Sequence, residues 1–425
     1  MNLRSLKIKN ICAIVIVFIS LFLYIFNILP IVGPEKVGTR EYLSIPASFF
    51  VLMLLSRLPK VYFWIVLANW TQVLFSIIAV IGNGTTDFWY VQFAIRNVLY
   101  INGAVLIAYL MPKKWSLDTL MLLVIAAIIV NDVISFIGFV NPTVASFLFS
   151  IQDFGNMEKV ERSYGFGTRI IGLGRNNYFN GGVTNGMGII LAFYLISQKK
   201  LNQYLGLVII FIMTIIGLFI ARTTIVGLLL GGSLYLVTLK RKTYLIKALI
   251  SVSILLVMVY VSGVLDGLNT SHAFELFEYY DDLDKVESLN KMNSMYDRDM
   301  SFTTFLFGDG LSKDGEFYYM HTDVGYLRNI FYFGILGTVL GYFYYEYYIL
   351  RKLFDYNREL KMIILTLAVY LLALNLKGLP DYNFLIFILL AYYIRQNGNK
   401  RENNSIINNK RYRRLLNETQ TKLAY

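Results

Sequence analysis

The chain has 425 residues, 56 % of them hydrophobic and only 16 % charged, with a mean hydropathy of +0.56 and a formal net charge of +12. So little charge cannot clothe a water-soluble globule of this size, which excludes an ordinary soluble enzyme and makes lipid the solvent for much of the chain. The lone cysteine, Cys12, excludes an internal disulfide or a cysteine-based zinc site and reads as a packing residue.

Crossing the hydrocarbon core takes about 20 apolar residues, and runs of that kind recur along almost the whole chain. About twelve spans are predicted, near 10–32, 43–56, 61–82, 88–111, 118–140, 178–197, 204–221, 223–239, 245–264, 327–350, 361–376 and 382–394. The first follows Lys9, is long enough to span and lacks a small-residue cleavage site, so it reads as a span and not as a cleaved signal. The fold class is therefore an all-α polytopic membrane protein.

Lysine and arginine set its orientation. Arg4, Lys7 and Lys9, Arg57 and Lys60, Lys113 and Lys114, Lys199 and Lys200, Lys240 to Lys242, and Arg351, Lys352, Arg358 and Lys361 all fall on one side. The tail from Arg395 adds eight basic residues against Glu402 and Glu418. That side is expected to be cytoplasmic, with both termini on it. Residues 265–326 instead carry thirteen acidic and four basic residues. The positive charge is thus an orientation signal and a contact for anionic lipid, and not a nucleic-acid footprint. Residues 1–394 form the membrane domain, and the Asn-rich tail 395–425 is predicted to be disordered. Two connections on the far side are long, near 141–177 and 265–326, while "GPEKVGTRE", "NGTTD" and "KGLPD" are short. Long loops on one face usually carry function.

The first long loop contains "ERSYGFGTRIIGLGRNNYFNGG", with Arg162, Arg169 and Arg175 among glycines. Guanidiniums grip phosphate oxygens bidentately and glycine lets backbone approach a ligand, although a mobile loop touching headgroups would look the same. Arg222, in "LFIARTTIVG", lies at a helix end or short turn between two apolar runs. A guanidinium at bilayer depth costs about 2.5–3.5 kcal/mol on insertion scales, so it serves a cavity or an ion pair unless it snorkels. Arg96, within a span, has no nameable partner. Gly227, Gly231, Gly232, Gly334 and Gly337 supply small faces for helix packing.

The second loop ends in "FGDGLSKDGEFYYMHTDVGYLRNIFYFGILG", which holds His321 and, seven residues later, Arg328. Imidazole titrates near neutrality, so this residue type can accept a proton from a sugar hydroxyl, with Asp323 orienting it or sharing the work. Thr322 and Asp323 are expected to cap the helix that starts near Gly325. Arg328 would hold a phosphate or a loop carboxylate. Tyr318 and Tyr319 could stack on sugar faces. His272, in "LNTSHAFELF", reads as ordinary loop. The Asp282/Asp284 and Asp297/Asp299 pairs resemble metal sites of nucleotide-sugar transferases, but in so acidic a loop they read as a solvated face.

With about twelve spans, "ARTTIVG" after a membrane run and "FGDG…HTDVGYLRNIFYFGILG" closing a late loop, the chain resembles the O-antigen and capsular polysaccharide polymerases, relatives of the O-antigen ligases. Specific likeness lies at about 220–232 and 305–345. The resemblance implies a C-type membrane glycosyltransferase fold in a bacterial cytoplasmic membrane, using a saccharide on undecaprenyl pyrophosphate and no metal or other cofactor. It implies His321 as base, with Asp323 beside it. Arg222 would be the pyrophosphate contact, joined by Arg169 and Arg175, while Arg328 is a further candidate from its place in the loop and not from the resemblance. Lipid-linked oligosaccharide, the bilayer, a chain-length regulator and a flippase are the implied partners. The chain itself being a flippase, or an O-antigen-type ligase, are the alternatives.

Overall fold

The computed structural model describes residues 3–31, 37–153, 170, 172–174, 178–238, 287–315, 317–356, 360–381 and 383–397. Helices dominate: α1 (Leu3–Phe26), α2 (Thr39–Met53), α3 (Lys60–Gly82), α4 (Trp89–Leu110), α5 (Leu117–Val140), α6 (Pro142–Ile151), α7 (Phe179–Ser197), α8 (Gln203–Ile220), α9 (Thr224–Thr238), α10 (Glu287–Tyr296), α11 (Phe302–Phe307), α12 (Gly325–Gly337), α13 (Tyr344–Tyr356), α14 (Lys361–Asn375) and α15 (383–397). The sheet among the described residues is one antiparallel hairpin, β1 (Lys313–Asp314) with β2 (Phe317–Tyr318). Helices occupy the apolar segments expected from the sequence, apart from 245–264, which lies outside the described residues. Five of them, α3, α4, α5, α7 and α8, are long and apolar enough to cross a membrane.

Side-chain placement shows why lipid is the natural solvent. Helix α3 exposes Phe63, Trp64, Leu67, Trp70, Leu74, Ile78 and Ile81 while burying Asn69, Gln72 and Ser76. Water would penalise that pattern, whereas hydrocarbon favours apolar groups outside and hydrogen-bonded polar groups within. The buried amides join helices. Asn69 Nδ2 donates to the Ala94 carbonyl at 2.7 Å, Asn97 Nδ2 to Gln72 Oε1 at 3.4 Å, and Asn383 Nδ2 to Asn97 Oδ1 at 3.2 Å, tying α3, α4 and α15 together.

Helix α7 is apolar or small apart from Asn180 and Asn185 near its start, and is buried along nearly its whole length, as a central helix should be. At its contact with α9 the two backbones touch: a Cβ added to Gly227 would stand 2.3 Å from the Gly186 Cα. Gly231 packs on Phe193 and Ile190, but Gly232, expected in the same small face, looks into open space.

The bundle has two distinct ends. At one, loops interlock: Asp153 N donates to the Leu29 carbonyl at 2.7 Å, Asp381 N to Asn180 Oδ1 at 2.9 Å, and Thr223 Oγ1 to the Phe179 carbonyl at 3.4 Å. At the other, Lys200 pairs with Asp118 at 3.3 Å, and Arg57, Lys60, Lys113 and Lys114 fall at the same level of the chain's path.

The span expected at 327–350 is not one continuous helix. Gly334 breaks α12 with φ 66° and ψ 175°, and a π-helical segment, Thr338–Phe343, precedes α13. The carbonyls freed by the break are satisfied from outside, Phe331 O by Asp309 N at 2.6 Å and Tyr332 O by Gly310 N at 3.2 Å. The Phe-Gly-Asp-Gly loop therefore docks into the break. Nor do Thr322 and Asp323 cap α12. Thr322 Oγ1 accepts from Val324 N at 3.2 Å in a local turn, Val324 itself precedes the helix, and Asp323 is exposed. Helix α15 runs on to 397 with Arg395 buried, and 398–425 lie outside the described residues.

Candidate functional site

The hairpin and the turn after it are built on two aspartates at the interlocked end. Asp87 Oδ2 accepts from Ser312 N and Ser312 Oγ, both at 2.6 Å, while Oδ1 accepts from Trp89 N at 3.0 Å. Asp309 accepts from Thr304 Oγ1 at 2.8 Å and from the Tyr319 hydroxyl at 3.1 Å. Burial, and then the neighbouring Asp309 carboxylate, push the Tyr319 phenol above its ordinary range, so it remains a donor.

That frame forces His321 into an unusual backbone state. Met320 and His321 both have positive φ, 55° and 51°, at the close of a single turn from Tyr319. Non-glycine residues in this region cost roughly 1–3 kcal/mol each and gather at functional sites. The His321 side chain is exposed, its ring 5.3 Å from that of Phe317. No hydrogen bond joins it to Asp323 among the described residues, so Asp323 does not orient it here.

Arg328 is the opposite case, a buried guanidinium in the first turns of α12. Its Cζ lies 3.8 Å from the Tyr318 ring centroid and 5.5 Å from that of Trp89. Its Nε is buried with no hydrogen-bond partner, as is the Nδ2 of Asn329, whose Oδ1 accepts from Tyr90. Phe317 and Tyr318 are consecutive in a strand and so point to opposite faces. The hairpin thus carries exposed His321 on one side and buried Arg328 beneath the other.

Arg222 is buried in the turn between α8 and α9, a helical hairpin lying on the start of α7. Thr224 Oγ1 closes that turn by donating to Ala221 O at 2.9 Å. No hydrogen bond or ion pair joins Arg222 to His321. They share the interlocked end through a relay of close contacts. Gly325 packs on Gly378, where an added Cβ would be 2.6 Å from the carbonyl. Gly378 packs on the Phe179 ring, where an added Cβ would stand 3.1 Å from the ring edge, and Phe179 O accepts from Thr223. Arg169 and Arg175 lie outside the described residues, as do Arg162, His272, Asp282 and Asp284; Asp297 and Asp299 are exposed.

No family model, curated protein or solved structure matches the chain.

Four buried charged side chains among the described residues, Arg40, Glu41, Asp132 and Glu346, were not singled out in the sequence. Arg40 donates from Nε to Tyr24 O at 2.7 Å, from one terminal nitrogen to Ile25 O at 2.9 Å, and from the other to both oxygens of Asp381. Glu41 accepts from Tyr100 OH at 2.5 Å and lies 4.0 Å from Arg96, which supplies the partner Arg96 lacked on paper. Asp132 is buried in α5. The available signal was weak: a charged residue at or inside an apolar run, with its partner far along the chain.

Proposed function

We propose that this chain is a polysaccharide polymerase of a bacterial cytoplasmic membrane. It would transfer a glycan from undecaprenyl pyrophosphate onto the non-reducing end sugar of a lipid-linked repeat unit, for capsule, exopolysaccharide or O-antigen. In this reading the twelve-span arrangement holds, both termini are cytoplasmic, and the interlocked end faces outward because the lysine- and arginine-rich connections lie at the other. The observation that carries the proposal is the hairpin. It joins a guanidinium with an unfilled donor to aromatic faces and to an exposed imidazole held in a strained turn. Phosphate, sugar and hydroxyl are the groups such a set would meet.

The acceptor hydroxyl oxygen forms the new bond to the anomeric carbon as its proton passes to His321. The bond from that carbon to the phosphate oxygen breaks, and the electron pair leaves with the lipid pyrophosphate. One displacement inverts the anomeric centre. Arg222 and Arg328 would stabilise the leaving group as its charge develops, guanidinium being a cation that needs no metal to do so. General-base help of this kind is worth about 10²–10⁴-fold.

In a purified assay with lipid-linked repeats, His321→Ala and Arg222→Ala keep normal protein levels while polymer length collapses, and Arg328→Lys retains part of the activity that Arg328→Ala loses. Polymer of ordinary length from His321→Ala and Arg222→Ala would remove the assignment. One observation favours the flippase alternative: the buried carboxylate of Asp132, since transporters place ionisable groups inside the bundle. Loss of all surface repeats, in place of shortened chains, is the outcome that reading expects.

A further inference from the structure

Helix α5 reads "IIVNDVISFIG" through its outer half, and Asp132 interrupts that apolar run. At 1.5 Å per residue it lies about 12 Å below the helix end at Val140. The side chain is buried. Its Oδ1 accepts from Asn185 Nδ2 of α7 at 3.1 Å, and its Oδ2 is buried with no hydrogen-bond partner. No cationic side chain pairs with it among the described residues, although Arg222 and Arg40 stand at the same end.

Asp132 faces a small cavity between α1, α5, α7 and α8, with Asn131, Thr184, Asn185 and Gly172 also on its wall. The space admits about one water-sized occupant. Thr184 has already given its proton to Asn180 O at 2.9 Å, which leaves its oxygen lone pairs for another partner. Asn131 Oδ1 accepts from Leu173 N at 3.1 Å, and Gly172 O accepts from Gln152 Nε2 at 3.1 Å, so these oxygens are held in fixed positions.

A lone carboxylate at this depth is costly when charged, so either a proton or a bound cation must neutralise it, and the test below separates the two. A water would fill the space but leave the charge. Calcium takes six to eight oxygens, usually from several carboxylates, and magnesium keeps several waters around it, so both ask for more than this wall and its single-occupant space hold. One carboxylate balances one positive charge, so with neutral oxygens around a single-occupant cavity it suits a hard monovalent cation. We infer that Asp132, Asn131, Thr184 and Asn185 bind a sodium ion. The ion would clamp α5 to α7 and to the segment 172–174. Ile220 forms another part of the wall, two residues before Arg222, so the clamp sits under the turn that carries that arginine. The inference stands whether the chain is a polymerase or a transporter.

The test uses the full chain in detergent or nanodiscs, with sodium chloride against choline chloride at matched ionic strength. Sodium should raise the thermal midpoint by a few degrees in a saturable way, because an ion that binds only the folded state stabilises it by mass action. Asp132→Asn, which keeps the shape, should erase the dependence, and Thr184→Val should weaken it. Equal midpoints of the wild-type chain in the two salts overturn the inference, as does a sodium effect that survives in Asp132→Asn. An Asp132→Asn chain more stable than the wild type in both salts would mean that the carboxyl is simply protonated, and would overturn it too.

Discussion

Replacing Asp381 with asparagine removes the counter-charge of a guanidinium that has nowhere else to go. Arg40 is buried in the first turn of α2, where the helix dipole already disfavours a cation. It is held there by the last carbonyls of α1, by both Asp381 oxygens at 3.1 and 3.0 Å, and by the rings of Tyr24, Tyr100 and Phe384 at 5.4, 5.0 and 5.8 Å. Breaking a fully buried pair costs about 3–5 kcal/mol. Asp381 keeps 27 % of its side chain exposed and the carbonyl bonds survive, so Asp381→Asn should cost less, roughly 2–3 kcal/mol. Arg40→Met forfeits the carbonyl bonds as well and should cost about 3–5 kcal/mol. Once Arg40 is gone, Asp381 can turn to water, so the double variant should fall short of the summed single effects by roughly 1 kcal/mol or more. Reversible unfolding by SDS in mixed micelles reads all three. Single effects that simply add, or an Asp381→Asn chain as stable as the wild type, would refute the claim that this pair anchors the 376–381 loop.

Two other substitutions probe the docked hairpin. Gly334 has φ 66° and ψ 175°, and a Cβ there would meet the Leu306 carbonyl at 2.2 Å, so Gly334→Ala should destabilise by at least about 2 kcal/mol and expose the 302–318 segment to protease; unchanged cleavage would count against the break. The Tyr319 phenol is raised above its ordinary 10.0 by burial and by Asp309. Above that pH the unfolded chain loses this proton first, so the stabilisation is complete below about pH 10 and disappears as pH climbs through the folded value. Tyr319→Phe should flatten that alkaline decline in the unfolding midpoint, and an identical pH profile would exclude the contribution.

The helices were legible because bilayer thickness imposes a run length that composition alone reveals, and lysine and arginine mark where runs stop. The same arithmetic does not show the break at Gly334 within 327–350, because continuity there depends on which backbone donors arrive from elsewhere. Asp309 and Gly310 reach the carbonyls of Phe331 and Tyr332 from an earlier loop, and no period in α12 announces them. The chemistry was legible by residue type more than by partner. His321 and Arg328 stand out as rare groups near a helix start. That Arg328 would lie on Tyr318 while Asp323 stood apart from His321 depended on a hairpin of two two-residue strands and its strand alternation. Arg40 and Asp381 are 341 positions apart, so nothing local couples them.

These misses share a physical cause that also narrows where the chemistry can sit. In hydrocarbon, a polar group stays inside only if its partners are brought to it, so each buried charge marks a place where distant segments have been drawn together. Arg40 draws the 376–381 loop to α1 and α2. Gly378 of that loop lies between the start of α12, which carries Arg328, and Phe179, whose carbonyl holds Thr223 beside Arg222. The two candidate phosphate-binding arginines are therefore spaced by one short loop whose position is itself set by an ion pair. Loosening that pair should shift Arg222 relative to Arg328 without touching either, so Asp381→Asn should impair turnover of a pyrophosphate-bearing substrate more than its loss of stability accounts for. Activity that tracks only the folded fraction would mean the two arginines act independently of each other.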